Sequence, residues 1–426
     1  MAINAVGMAL AYASHVLFAK WLGLQQYGYY VYALAWLNVL CIVAQMGFNT
    51  STIRITAELR AQNSNNAIFG LSAFSTQVVL FAGTIILVFG GTLMVMVSDL
   101  IEQDQIWTLS IMLPLVVALS LLYQRMAMLQ GYEHVAHAQS YLEIVRPVLL
   151  IAVMAALTQF MTVNAPVAMM VNLAVTAVTF VAAAISVNRL MNVVSRATVQ
   201  REFRSREWLS VSLPYLAIGG LTVVMQQSDV LMLGTMLGGV AVGLYVPALK
   251  LSQLILFPML AIRSRAAPQL ARLFAENNLN ELQRQMNITT LVSGLTGLVL
   301  VIALIWQRET VLSLFGAEFI ESAPAVVVLT LGMGMFALTG GVEVFLIFGP
   351  FERVTMLIYA LVLSVNIVLN LILIPSFGFL GAAYATTATV VLRGIISTYV
   401  VWRFTGILPW RSVEAGGHRW KVNLDD

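Results

Sequence analysis

An all-α integral membrane protein, with about twelve transmembrane helices in two pseudo-symmetric six-helix lobes, is the fold class this sequence predicts, and three observations predict it. The first is composition: 60% of the 426 residues are hydrophobic, 10% are charged, and mean hydropathy is +0.89. That is more apolar surface than a polar coat could hide from water. The second is a series of long apolar runs without the period-two alternation of a barrel strand. The third is an internal repeat. Residues 22–34, Leu22-Gly23 through Leu34, return 215 residues later as Leu237-Gly238 through Leu249, and seven of the 13 positions are identical. Chance identity in a chain of this composition is about one in ten per position. The offset is close to half the chain, so the repeated unit is a whole bundle, as in many transporters.

A spanning helix needs about 20 apolar residues, and the chain divides at its polar breaks into twelve such runs. They fall at residues 2–19, 28–48, 68–97, 106–128, 141–160, 165–187, 209–235, 242–262, 287–306, 323–348, 355–374 and 379–402. The first is read as a retained helix although Ala11-Tyr12-Ala13 resembles a signal-peptidase site, because no Lys or Arg precedes it. The expected organisation is an N-terminal lobe at 1–195, a basic cytoplasmic linker at 196–208, a C-terminal lobe at 209–405 and a cytoplasmic tail at 406–426.

Lys and Arg orient the bundle, since positive charge is retained on the cytoplasmic side. With the N-terminus inside, 17 basic residues fall on the cytoplasmic side: Arg54, Arg60, Arg125, Arg189, Arg196, Arg201, Arg204, Arg206, Arg263, Arg265, Arg272, Arg284, Arg353, Arg403, Arg411, Arg419 and Lys421. Only Lys20 and Arg308 fall opposite, among acids such as Asp99, Glu102 and Glu318. Both termini are therefore expected in the cytoplasm. The cluster from Arg196 to Arg206 reads as a topology determinant that also grips anionic lipid headgroups.

Several classes of chemistry are disfavoured. No loop is long enough for a catalytic or nucleotide-binding domain, and no phosphate-cradling Gly-Lys-Ser/Thr loop is present. The chain is expected to be neither an enzyme nor cofactor-dependent, with no ATPase subunit evident and no nucleic-acid partner. The single cysteine, Cys41, allows no intrachain disulfide. His134 and His137 beside Glu133 have ligand spacing but no third ligand, and read as a solvated loop.

Ionisable residues inside the runs stand out, because a charge near the bilayer centre costs about 2.5–3.5 kcal/mol on insertion scales. They are Arg146, Asp229, Lys250, Glu343 and Arg393. Asp229 and Lys250 lie at matching distances from the second copy of the repeated turn and are expected to pair; Glu343 and Arg393 could also pair. Arg146, directly before Pro147, either snorkels to the headgroups or faces a cavity. His15 in the first run is a relay or a packing residue. Pro214, Gly219 and Gly220 in the seventh run, with Pro247 and Pro258 in the eighth, are candidate bending points or small-residue packing positions.

The chain also resembles a known family. Trp21-Leu22-Gly23 followed by Tyr27-Gly28-Tyr29-Tyr30, then Arg54-Ile55-Thr56-Ala57-Glu58-Leu59-Arg60, is similar to the first helical hairpin of bacterial polysaccharide flippases. These belong to the multidrug/oligosaccharidyl-lipid/polysaccharide exporter superfamily. The likeness continues through Leu129-Gln130-Gly131, Ser228-Asp229, Tyr245, Lys250, Pro258 and Pro268 to the segment 369–375 and to Gly378 through Thr386. Two features depart from it: the basic leader common in the family is missing before the first helix, and Val230 stands after Asp229 where relatives often carry a base.

The resemblance implies a MATE-like fold in the bacterial cytoplasmic (inner) membrane and a flippase that moves a polyprenyl-diphosphate-linked oligosaccharide, an O-antigen-type or other surface polysaccharide precursor, to the outer leaflet by alternating access. It implies Arg146, Lys250 and Arg393 as candidate diphosphate contacts, with Asp229, Glu343 and His15 as ion-coupling or ion-pair residues. Membrane lipids and polysaccharide polymerase or assembly proteins are the expected partners. A cation-coupled small-molecule or drug exporter of the same fold is the alternative, separated by a cavity that should be acidic and apolar rather than cationic. A polytopic polysaccharide polymerase or ligase would need a large outer loop that is not seen.

Overall fold

The computed structural model describes residues 2–194, 201–259, 269–270, 272–274, 276, 278–349 and 351–410. The expected sites at Arg196, Arg263, Arg265, Pro268, Arg411, Arg419 and Lys421 lie outside them. Among the described residues the chain is helices and short turns, without a strand. In order the helices are α1 (Ala2–Gln45), α2 (Phe48–Ala61), α3 (Asn65–Met96), α4 (Gln103–Gly131), α5 (Val135–Leu157), α6 (Ala165–Val194) and α7 (Ser205–Leu237). They continue with α8 (Gly239–Gln253), α9 (Leu279–Ser313), α10 (Ala323–Ala337), α11 (Gly340–Phe348), α12 (Glu352–Phe377) and α13 (Phe379–Thr405).

Among the described residues eleven helices are long and apolar enough to cross a membrane, and the chain is a multi-pass membrane protein. The first of them accounts for two of the expected runs. The apolar stretch Ala5–Gln45 has 41 residues, about 60 Å of straight helix and twice a hydrocarbon core. It does not run straight, because Gly23 has φ 74° and ψ 172°. His15 and Tyr27 have ring centroids 6.3 Å apart, and Phe18 and Tyr30 5.2 Å. Residues 12 apart in a straight helix would be separated by about 18 Å. The chain therefore turns back at Gly23 into a hairpin, and α1 is two spans.

The repeat has a structural counterpart. Gly238, aligned with Gly23, has φ 80° and ψ −170° and joins α7 to α8 as Gly23 joins the arms of α1. Only glycine holds this conformation without strain. The two turns also touch. A side chain at Gly28 would collide with the backbone carbonyl of Gly239, and one at Gly243 with that of Leu24. On the 215-residue offset Gly28 corresponds to Gly243, and Leu24 to Gly239. The contact is thus reciprocal, as around a two-fold axis.

The chain forms two compact units, residues 1–234 with 238–243, and residues 235–237 with 244–426. In the first, α4 is central, packing against α1, α2, α3 and most extensively α6. Helix α7 belongs to this unit through residue 234. Trp208 is buried beside Phe74, the Glu202 backbone N–H donates to the carbonyl of Asn66 at 3.2 Å, and the hydroxyls of Ser51 and Ser212 meet at 2.6 Å. In the second unit α13 is central, packing on α12, α10 and α11. The offset maps α4 onto α10 and α11, and α6 onto α13, so the α4–α6 packing recurs as α10–α13.

Three features depart from the apolar runs. Residues 49–61, which fall between the second and third apolar runs, form with Phe48 the amphipathic helix α2, which buries Phe48, Ile55 and Leu59. The run 323–348 breaks at Leu338–Thr339 into α10 and α11, where Gly341 lies against Thr290 and Met286 of α9. Arg125, counted with the cytoplasmic set, is half-buried in α4, where its Nη1 donates to Ser72 at 3.0 Å.

Candidate functional site

Helix α5 starts six residues before its apolar run, so Arg146 stands at its midpoint. The helix widens there into a π-turn over Tyr141–Val145, closed by the Arg146 N–H donating to the carbonyl of Tyr141. Pro147 explains the widening: its ring crowds the carbonyl four residues back, and its nitrogen has no hydrogen to give. The extra residue shifts the register of every side chain that follows.

Arg146 opens onto a cavity of about 200 Å³ within the first unit, lined among others by Ser14, His15, Tyr30, Asn38, Tyr123 and Asn172. Its Nη2 donates to Asn172 Oδ1 at 2.8 Å and its Nε to Thr176 Oγ1 at 3.1 Å. The Asn172 Nδ2 in turn donates to the Tyr30 hydroxyl at 3.1 Å. His15 Nδ1 is 3.0 Å from the hydroxyl of the buried Tyr27. Glu143, one turn before Arg146, lies against Gly7 of α1. Among the described residues no acid lines the cavity and none forms an ion pair with Arg146; the ion pairs found join exposed or half-exposed groups elsewhere. A guanidinium held only by neutral acceptors keeps its charge available to an anion.

The second unit treats its arginine differently. Arg393 on α13 lies 4.3 Å over the Phe336 ring and 5.8 Å over that of Tyr359. The Tyr359 hydroxyl donates to Glu343 Oε1 at 2.6 Å. Glu343 and Arg393 are thus joined through a tyrosine, with no direct ion pair between them among the described residues. Glu343 is buried in the first turn of α11, where the helix dipole favours negative charge.

The remaining expected positions fall in both units. Asp229 is buried beside Ser228 in α7, in the first unit, and Lys250 is half-buried in the last turn of α8, in the second. Pro214 lies inside α7; a methyl at Gly219 or Gly220 would meet Ile42 at ordinary distances of 3.7 and 3.8 Å, so close packing does not demand glycine at either. Pro247 lies inside α8, and Pro258 follows a tightened 3₁₀ turn at Leu254–Leu256, as a missing N–H dictates. His137 stacks on Tyr141 at 5.2 Å.

Asn172, Thr176 and Tyr359 were not singled out in the sequence, and Tyr30 stood there only as part of the repeat and the family motif. Asn172 and Thr176, one turn apart in an apolar run, are the signal that could have pointed to a polar face.

The family model described as polysaccharide biosynthesis protein matches residues 1–274, more than half of the chain. The chain belongs to that family. A second model, MatE, matches residues 216–375. Among solved structures, the fold is similar to an inward-facing multidrug resistance MATE family transporter of the MOP superfamily (TM-score 0.78, 13% identity, 94% of each chain covered). It is also similar to the lipid II flippase MurJ in an inward closed conformation (TM-score 0.74, 11% identity, 94% of this chain and 86% of that one). A Vibrio cholerae MATE transporter matches at TM-score 0.60 with 12% identity over 94% of each chain. No curated protein matches significantly. The superfamily resemblance and the MATE-like helical fold read from the sequence hold.

Proposed function

We propose that this member of the polysaccharide biosynthesis family flips a polyprenyl-diphosphate-linked oligosaccharide, of the O-antigen or surface polysaccharide precursor type, from the cytoplasmic to the outer leaflet of the bacterial inner membrane. A diphosphate and a sugar chain cannot cross hydrocarbon unaided, so the protein must offer them a polar, cationic surface while the lipid tail stays in the bilayer. The observation that carries the reading is Arg146, at the midpoint of a spanning helix, bonded only to neutral groups beside a cavity without an acid. We assign the diphosphate contact to Arg146, with Lys250 as the base of the second unit, and give Arg393 a scaffolding role because its face is covered by two rings. The charge bias of the loops supports both termini in the cytoplasm. The transport step makes and breaks no covalent bond and needs no cofactor, and the polymerase or assembly proteins that use the product outside are the natural partners.

The MatE match favours a second reading, a cation-coupled small-molecule exporter. The two separate in proteoliposomes. Translocation of a polyprenyl-diphosphate oligosaccharide by the wild type, lost in Arg146→Ala and reduced in Lys250→Ala, supports the flippase. Export of small organic cations against an ion gradient, with no lipid-linked glycan moved, replaces it with the exporter.

A further inference from the structure

Arginine can only donate hydrogen bonds, and that fixes the direction of every bond around it. Asn172 must turn its Oδ1 to Arg146, which leaves its Nδ2 facing Tyr30, as the 2.8 and 3.1 Å distances have it. Thr176 accepts from Arg146 Nε and so gives its own proton to Asn172 Oδ1, 3.4 Å away. The Tyr30 hydroxyl, in accepting from Asn172, keeps its proton for another acceptor. Tyr30 lines the same cavity as Arg146, and the amide between them is buried, with 1% of Asn172 exposed.

We infer that the anion site has a second donor, the Tyr30 hydroxyl, and that Asn172 is the positioning residue that couples it to Arg146. The inference rests on the anion reading above and deepens it. Arg146 supplies charge and up to three further N–H donors, and Tyr30 supplies an O–H; both are donors, which suits the phosphate oxygens of a diphosphate and not a cation or an apolar drug. An amide at position 172 is specifically required. It is the side chain that can accept from an arginine and donate to a tyrosine without neutralising the arginine. A carboxylate of the same shape would accept from both, pair with Arg146 and turn the tyrosine proton away from the cavity.

The test is binding of radiolabelled polyprenyl diphosphate, without sugar, to the full chain in nanodiscs, with the melting temperature of each variant measured alongside. Arg146→Gln is expected to weaken binding at least tenfold, and Tyr30→Phe, which keeps the ring, about tenfold. Asn172→Asp is expected to weaken binding as much as Arg146→Gln while its melting temperature is unchanged or higher, because the new carboxylate satisfies Arg146. A purely structural role for Asn172 would lower both together. Arg146→Gln weak with Tyr30→Phe and Asn172→Asp at wild-type affinity overturns the coupled-donor inference and leaves the anion reading standing. Arg146→Gln at wild-type affinity overturns the anion reading itself.

Discussion

Two arginines inside the membrane, one in each compact unit, show two ways of keeping a charge there. Arg146 is held by an amide and a hydroxyl beside a cavity lined by both polar and apolar side chains. Arg393 lies over two aromatic rings, one of which carries the hydroxyl that holds Glu343. The scaffold around them is a repeat, yet the arginines are not repeat-equivalents. On the 215-residue offset Arg146 corresponds to Leu361 and Arg393 to Val178, and these are 51% and 62% exposed apolar side chains. The duplicated tyrosine, by contrast, keeps its role in both copies: Tyr30 bonds Asn172 on α6, and Tyr245 bonds Thr386 on the corresponding helix α13 at 2.8 Å. The repeat-equivalent tyrosines each bond the corresponding helix, whereas each arginine stands in one copy alone.

The sharpest way to break the comparison is to remove each charge and ask what is lost. Arg146→Gln is expected to lower the flipping rate of a polyprenyl-diphosphate oligosaccharide about 100-fold, since a hydrogen-bonded charge contact is worth about 1.5–3 kcal/mol and each 1.4 kcal/mol is a factor of ten. Its melting temperature should fall little. Arg393→Leu should do the reverse, lowering the melting temperature in detergent while the residual folded protein still flips. A variant pair with the effects exchanged would end the distinction drawn between the two sites.

Next in size is Tyr359→Phe, which leaves the buried Glu343 without its hydrogen-bond donor and should cost about 1–3 kcal/mol of stability. Double replacement with Glu343→Leu should recover most of that loss in a thermal melt, because the unsatisfied acceptor goes with it. Gly28→Ala should destabilise more than Gly219→Ala, since only the former puts a side chain against a backbone carbonyl. Circular dichroism melts of the two variants check the order. The smallest effect is expected for Arg54→Ala. The Arg54–Glu58 pair on α2 is exposed, with side chains 63% and 52% accessible, and its loss should leave the melting temperature unchanged.

The repeat, the number of spans and the intramembrane ionisable residues were legible in the sequence because each is a contrast against an apolar background. Position along a helix was legible only as far as the polar breaks, so Arg146 read as lying near an end when the helix in fact begins at Val135. Helix α2 escaped notice because its buried stripe, Phe48, Ser51, Thr52, Ile55, Thr56 and Leu59, is half hydroxyls and carries no apolar signal. The break before Gly340 depends on what α9 presents to Gly341, which no local pattern reveals. Tyr30 and Asn172 sit 142 residues apart, and a lone tyrosine or asparagine in an apolar run is ordinarily packing. What joins them into a site is the direction of hydrogen bonds, and that exists only once the chain is folded.

The reciprocal contact between the two glycine turns has a bearing on ancestry. A surface that fits a copy of itself about a two-fold axis is the kind a homodimer uses, and here Gly28 meets Gly239 as Gly243 meets Leu24. Such a match is what the fusion of two copies of one self-fitting half would leave. The glycines at 28 and 243 are in that sense one steric requirement met twice, each keeping clear the backbone of the other copy of the turn.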